Sequence, residues 1–308
     1  MSRIVKNLIN GKYIDVNNYL KIKNKINNKI LFKVADTKIF ELEELKKSIN
    51  NVPKSGLHNP FKNPERYRIL GDVCFKTAHD FKNKFIKSTL MEEIVQTTGK
   101  TYEEAEKEIN VSRKFLENFS GDQVRFLAKG FNTPGDHFGQ ICNSYRFPYG
   151  SVSVISPFNF PLEIPLLQVM GALFMGNKPI LKVDSKVSIV MDTVLKIMHK
   201  NGLPKNDIDF IHCNGYIMEN LLLDSNVNMT QFTGSSKIAN RLSKKLYGKI
   251  KIEGGGFDWK IIGPLNATMD RKNIYKIASD DAYTFSGQKC SAQSILFIHK
   301  SWDLNQFI

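Results

Sequence analysis

The chain has 308 residues, enough for a sizeable core and for two domains. Its 42% apolar and 24% charged content is that of an ordinary globular protein, and no apolar run approaches the roughly 18 residues a membrane helix needs. The net charge of +14 is spread among asparagines, as in Lys21-Ile22-Lys23-Asn24-Lys25, with no zinc-finger spacing and no aromatic RNA-recognition signature, which sets nucleic-acid binding aside as a main role.

Residues 1–35 read as short strands and turns, with Asn10-Gly11 between apolar flanks as a hairpin signal. The basic start before that turn is too short to be a clear presequence. From about residue 39 the pattern is helical, 53–64 is a loop, and Pro64-Glu65-Arg66 opens the next helix. Residues 66–118 are helix-rich, punctuated at Thr98-Gly99-Lys100-Thr101, and Thr101 with Glu104 forms a capping-box pattern. His58, His79 and His137 have no partner at metal-ligand spacing. The four cysteines (Cys74, Cys142, Cys213, Cys290) show no C-x-x-C spacing, which argues against disulfides and structural zinc. Residues 138–149 have strand character, through Ile141, Tyr145 and Phe147, and read as an oligomerisation or crossover arm.

From Ser151 the pattern alternates. Strands are expected at 151–156, 179–183, 208–212, 229–233, 249–253, 259–262 and 295–298, and helices within 157–176 and at 186–200, 216–223, 235–247 and 270–285. This alternation argues for a doubly wound, parallel, Rossmann-like α/β domain, whose ligands bind beyond the carboxyl ends of the strands. The expected organisation is a helix-rich N-terminal part (1–137), an arm (138–150), a dinucleotide-binding core (151–263) and the start of a further domain (264–308).

Four segments fall at those strand ends. Asn159, stiffened between Pro157 and Pro161, can donate to a developing oxyanion; the bland alternative is a helix cap. Thr233-Gly234-Ser235-Ser236 offers helix-start N–H groups to a phosphate, or simply a cap at Ser235. Glu253 precedes three glycines and can act as a general base, or be an ordinary strand-end glutamate. Cys290 lies in Ser286-Gly287-Gln288-Lys289-Cys290-Ser291, a small, polar and basic setting unlike the apolar bed of a structural cysteine.

In this order, Pro157-Phe158-Asn159-Phe160-Pro161, Phe232-Thr233-Gly234-Ser235-Ser236, Glu253-Gly254-Gly255-Gly256 and Gly287-Gln288-Lys289-Cys290 resemble the aldehyde dehydrogenase superfamily. Phe257-Asp258-Trp259-Lys260, the run from Asn177 to Lys186 and the run from Ser286 to Ser294 are similar to its plant-type delta-1-pyrroline-5-carboxylate dehydrogenase branch. The resemblance is weak at the N-terminus and strong from about Gln140. It implies oxidation of L-glutamate γ-semialdehyde to L-glutamate with NAD, the second step of proline breakdown. Cys290 resembles the nucleophile, Asn159 with the Cys290 backbone N–H the oxyanion hole, and Glu253 the general base. Lys182, Ser185, Gly234, Ser235, Ser156 and Phe158 match cofactor-contacting positions, and Lys289 and Ser291 match positions that hold the substrate carboxylates. Ser185 stands where many members carry an acid, which leaves NADP use open. The resemblance further implies a homo-oligomer and a mitochondrial matrix location, with the cytoplasm as the alternative. Members continue well past the position of Ile308, so the chain is expected to be a fragment, poorly soluble and little active by itself. The competing readings are a dehydrogenase for another aldehyde, a thiol hydrolase using Cys290 and Asn159 without a dinucleotide, and a non-catalytic nucleic-acid or scaffold protein using the basic surface.

Overall fold

The computed structural model describes residues 3–266, 268 and 270–303. The N-terminal region supplies β1 (Arg3–Val5), β2 (Asn7–Ile9), β3 (Lys12–Ile14), β4 (Tyr19–Lys23) and β5 (Ile30–Ala35). Helices α1 (Glu43–Asn50), α2 (Glu65–Asp80), α3 (Lys84–Thr98) and α4 (Tyr102–Asn118) follow, then a hairpin of β6 (Phe131–Pro134) and β7 (Ile141–Ser144). The alternating region runs β8 (Ser151–Ile155), α5 (Glu163–Phe174), β9 (Lys178–Lys182), α6 (Ser188–Lys200), β10 (Asp209–Phe210), α7 (Gly215–Asp224), β11 (Met229–Gly234), α8 (Ser236–Lys245) and β12 (Ile250–Gly254). It closes with β13 (Asp258–Ile262), α9 (Arg271–Tyr283) and β14 (Gln293–Ile298).

The main sheet has the order β12-β11-β8-β9-β10-β2-β3, its first five strands parallel and the β2–β3 hairpin added antiparallel at the β10 edge. Every residue of β8 is buried, as expected of a strand covered on both faces. Successive side chains alternate between two cores: Val154 and Leu181 join one with α2–α6, while Ile155 and Ile180 join the other with α1, α7 and α8. The parallel pair β13–β14 forms a separate sheet with α9 beside it, although β13 falls within the 151–263 segment.

Local chemistry explains most boundaries. Asn10 and Gly11 both take positive φ (46° and 74°), the geometry of a two-residue hairpin turn. Thr101 and Glu104 form the expected capping box. Three readings need correction. The 208–212 strand is only Asp209–Phe210, because His212 leaves the ladder: its N–H donates to Asn7 Oδ1 (2.9 Å) and its carbonyl accepts from Thr37 N–H (3.1 Å). The strand character read at 138–149 is confined to Ile141–Ser144, the second strand of a hairpin that begins at Phe131. Pro134 masks the first strand, but it ends an exposed edge where its missing N–H is tolerated. The final helix stops at Tyr283, because Phe285 and Ser286 turn left-handed. No helix of the described residues is long and apolar enough to cross a membrane.

His212 is fully buried, its ring edge-on to Phe210 at 4.2 Å, and burial holds its pKa down to about 4 from 6.5. Between those values the unfolded chain binds a proton that the folded chain refuses. The stabilising contribution is therefore complete above pH 6.5 and is lost as pH falls towards 4, roughly 3 kcal/mol in all. Urea unfolding at a series of pH values should show this slope, and His212→Leu should flatten it; an unchanged slope would assign the acid sensitivity to other groups.

Candidate active site

The site lies beyond the carboxyl ends of β8, β11 and β12. After β8 the chain makes the turn 156–162, and Asn159 does not cap the helix that follows. The residue preceding α5 is Leu162, without a side-chain cap, and the N–H groups of Leu162 and Glu163 donate instead to Glu108 Oε1 at 2.9 and 3.1 Å. Asn159 Nδ2 donates to the carbonyl of Gln288 at 2.9 Å, two residues before Cys290. A carbonyl only accepts, so this contact fixes the amide orientation, and the second Nδ2 proton remains to be given elsewhere.

Cys290 follows an unusual turn. Phe285, Ser286 and Gly287 take φ values of 53°, 52° and 69° in succession. Only the glycine is comfortable there; the left-handed region costs an L-residue roughly 1–2 kcal/mol. The turn swings the chain out of α9 and leaves Cys290 and Lys289 half-buried and Ser291 exposed. Glu253 is an exposed residue of β12, in register with Thr233 of β11. Together with Phe158, Gly234 and Ser235, the residues Cys290, Asn159, Glu253 and Lys289 line one cavity of ≈ 300 Å³. Ser291 does not line it.

A second cavity of ≈ 220 Å³ adjoins the first, sharing Pro157, Thr233 and Gly234 as lining. Lys182, Asp184, Ser156 and Arg241 line it as well. Ser156 Oγ is buried and has no hydrogen-bond partner. A Cβ at Gly234 would fall 2.8 Å from the Phe232 ring, so a larger residue would have to displace that buried ring. Ser235 Oγ accepts from Ile238 N–H and caps α8, so its side chain takes the bland role. Ser185 opens a short 3-10 turn and does not line the cavity; its neighbour Asp184 does, with one carboxylate oxygen on Lys186 N–H at 2.9 Å.

A third cavity of ≈ 270 Å³ lies on the α4 side, lined among others by Lys100, Glu104, Lys107, Glu163 and Lys289. Burial, then the neighbouring Glu108 carboxylate, pushes the Glu163 carboxyl above the usual carboxylate range. Sequence reasoning missed Glu108 and Gln288 altogether and saw in Glu104 only a helix cap. The i, i+4 spacing of Glu104 and Glu108 was the available signal, but it points along the helix and names no distant partner.

The sequence profile of the aldehyde dehydrogenase family matches residues 64–306. The chain belongs to the aldehyde dehydrogenase family. It is 48% identical over 301 residues to delta-1-pyrroline-5-carboxylate dehydrogenase 12A1, mitochondrial, of Arabidopsis thaliana, covering 97% of this chain and 53% of that relative. Methylmalonate-semialdehyde dehydrogenase from Oceanimonas doudoroffii superposes with a TM-score of 0.85 at 20% identity, over 98% of this chain and 60% of that one. A betaine aldehyde dehydrogenase from Staphylococcus aureus, solved in complex with NAD+, superposes with a TM-score of 0.81 at 20% identity, over 96% and 58%. The fold is therefore that of aldehyde dehydrogenases. The chain spans about half the length of the curated relatives it matches.

Proposed function

We propose that this chain carries the nucleophile and the dinucleotide-binding region for oxidation of L-glutamate γ-semialdehyde to L-glutamate, in proline breakdown in the mitochondrial matrix. The observation that carries the reading is the single cavity onto which Cys290, Asn159 and Glu253 converge from three distant segments. The substrate and the compartment rest on the 48% identity to the plant enzyme.

The lining of the adjoining cavity suits the ribose end of a dinucleotide. Lys182 and Asp184 stand at the end of β9, where a ribose can meet both an ammonium and a carboxylate, and Ser156 lines the same space. A carboxylate accepts from a 2′-hydroxyl and repels a 2′-phosphate, which favours NAD over NADP. The glycine turn at Gly234 lets the backbone before α8 approach a pyrophosphate.

Cys290 Sγ, as thiolate, adds to the aldehyde carbon and forms a carbon–sulfur bond. The oxygen becomes an oxyanion, held by Asn159 Nδ2–H and the Cys290 backbone N–H. When bound, nicotinamide supplies the hydride acceptor that converts this adduct to a thioester. Glu253 then takes a proton from a water that attacks the thioester carbon, and Cys290 leaves as thiolate. Lys289 faces the substrate's negative end from the cavity wall, whereas Ser291, two residues on, does not line the cavity. The exposed apolar residues of the β6–β7 hairpin, Phe131 and Ile141, are the surface for self-association.

Calorimetric titration tests the cofactor reading: NAD binds, NADP binds more weakly, and absence of NAD binding sinks the dehydrogenase assignment. Glu253→Gln tests the division of labour. Stopped-flow absorbance of reduced nicotinamide should show a first turnover at the unaltered rate, followed by a steady state slowed about 10²-fold. A slowed first turnover would remove Glu253 from the hydrolytic half.

A further inference from the structure

One face of α4 reaches both turns of the active site. Glu104 Oε1 accepts the Phe285 N–H at 2.7 Å, at the start of the left-handed turn that leads to Cys290. Its other oxygen stays on Thr101 N–H at 2.9 Å, within the capping box. One helical turn later, Glu108 Oε1 accepts from Leu162 and Glu163, which end the turn carrying Asn159, and Glu108 Oε2 pairs with Lys100 Nζ at 2.6 Å in a buried ion pair. The Lys100 ammonium lies 3.9 Å from the centre of the Phe160 ring and 4.9 Å from that of Phe285, one aromatic from each turn. A run of left-handed non-glycine residues persists only where its surroundings over-determine it. The Phe285 N–H has its partner on α4, and the Asn159 side chain closes the loop between the turns through the Gln288 carbonyl.

We propose that Glu104 is a positioning residue: through Phe285 it sets the Cys290 turn against Asn159, with the Lys100–Glu108 pair holding the Asn159 side of the same frame. The inference rests on Cys290 being the nucleophile and Asn159 its oxyanion donor. It assigns Glu104 no contact with substrate. Its consequence is confined to reactions that build an oxyanion beside the Cys290 sulfur.

Two probes separate these reactions. Iodoacetamide alkylates a thiolate by displacement and builds no oxyanion. p-Nitrophenyl acetate acylates it: sulfur bonds to the carbonyl carbon, p-nitrophenolate leaves, and the thiol proton goes to solvent. The rates of both at Cys290 are followed on the full chain by peptide mass spectrometry, with exposed Cys142 as internal reference. In Glu104→Ala the ratio of acylation to alkylation at Cys290 should fall about tenfold, as a small displacement of reacting groups does. Thr101→Ala removes the hydroxyl that accepts from Glu104 N–H (3.2 Å) and donates to Glu104 Oε2 (3.1 Å) but leaves the Oε1 bond to Phe285 N–H, so it should lower the melting temperature and shift the ratio far less than Glu104→Ala. Glu104→Asp keeps the charge at the start of α4 but loses reach, and should lower the ratio as well; it carries the test if the alanine variant does not fold. An unchanged ratio in folded Glu104 variants, or an equal fall in Thr101→Ala, overturns the proposal. Absence of Cys290 acylation in the unmodified chain overturns the nucleophile reading itself, and the positioning role falls with it.

Discussion

Cys290→Ala is expected to abolish both acylation by p-nitrophenyl acetate at this site and the proposed aldehyde-dependent reduction of NAD, with NAD binding retained. No other thiol of the chain can take over. Burial pushes the Cys213 thiol up to about 12 and raises Cys74 still further from its ordinary value, so neither forms a thiolate near neutral pH. Cys142 is exposed on the β6–β7 hairpin and is not among the residues lining the catalytic cavity. Calorimetry with NAD on the same variant supplies the control, since Cys290 does not line the Lys182 cavity. Residual ester turnover at the level of the unmodified chain would transfer the nucleophile to another group.

Asn159→Ala should lower acylation at Cys290 on the order of 10²- to 10³-fold, the usual consequence of removing one oxyanion donor. Alkylation by iodoacetamide should change far less. Two losses add here. The developing oxyanion loses an Nδ2 proton, and the Gln288 carbonyl loses the bond that ties the two turns together. Asn159→Asp tells the same story without a cavity: it conserves volume but points an acceptor at that carbonyl. An Asn159→Asp chain as active as the original would exclude the oxyanion role.

The parallel core was readable because its strands are short apolar runs separated by helix-period segments, and because turn residues mark their ends. The Asn10-Gly11 hairpin and the Thr101 cap were readable because each is local chemistry complete within four residues. The residues proposed as catalytic stood out as ordered motifs at strand ends, and their convergence on one cavity follows from the strand order β12-β11-β8. What was hidden is non-local. The partner of Glu104 lies 181 residues away, and a glutamate in a capping box looks satisfied where it stands. Nothing in Phe285 or Ser286 announces positive φ, since both are residues that ordinarily avoid it. Asn7 illustrates the same limit: its amide ends β10 from the opposite terminus by accepting the His212 N–H, so the shortened strand is dictated by a residue 205 positions earlier.

The β2–β3 hairpin also sets an order of events during synthesis. Its docking edge, β10, is made about 200 residues later, and the Asp209 carboxylate that receives the Asn10 N–H is made with it. Leu8 and Ile9 are both buried in the finished sheet, and although α1 is made soon enough to cover Ile9, the β10 side of the hairpin has no partner until about 200 residues more have been made. For that interval the β2 edge of the hairpin is open, and a chaperone that shields it until β10 emerges would protect the yield of folded protein.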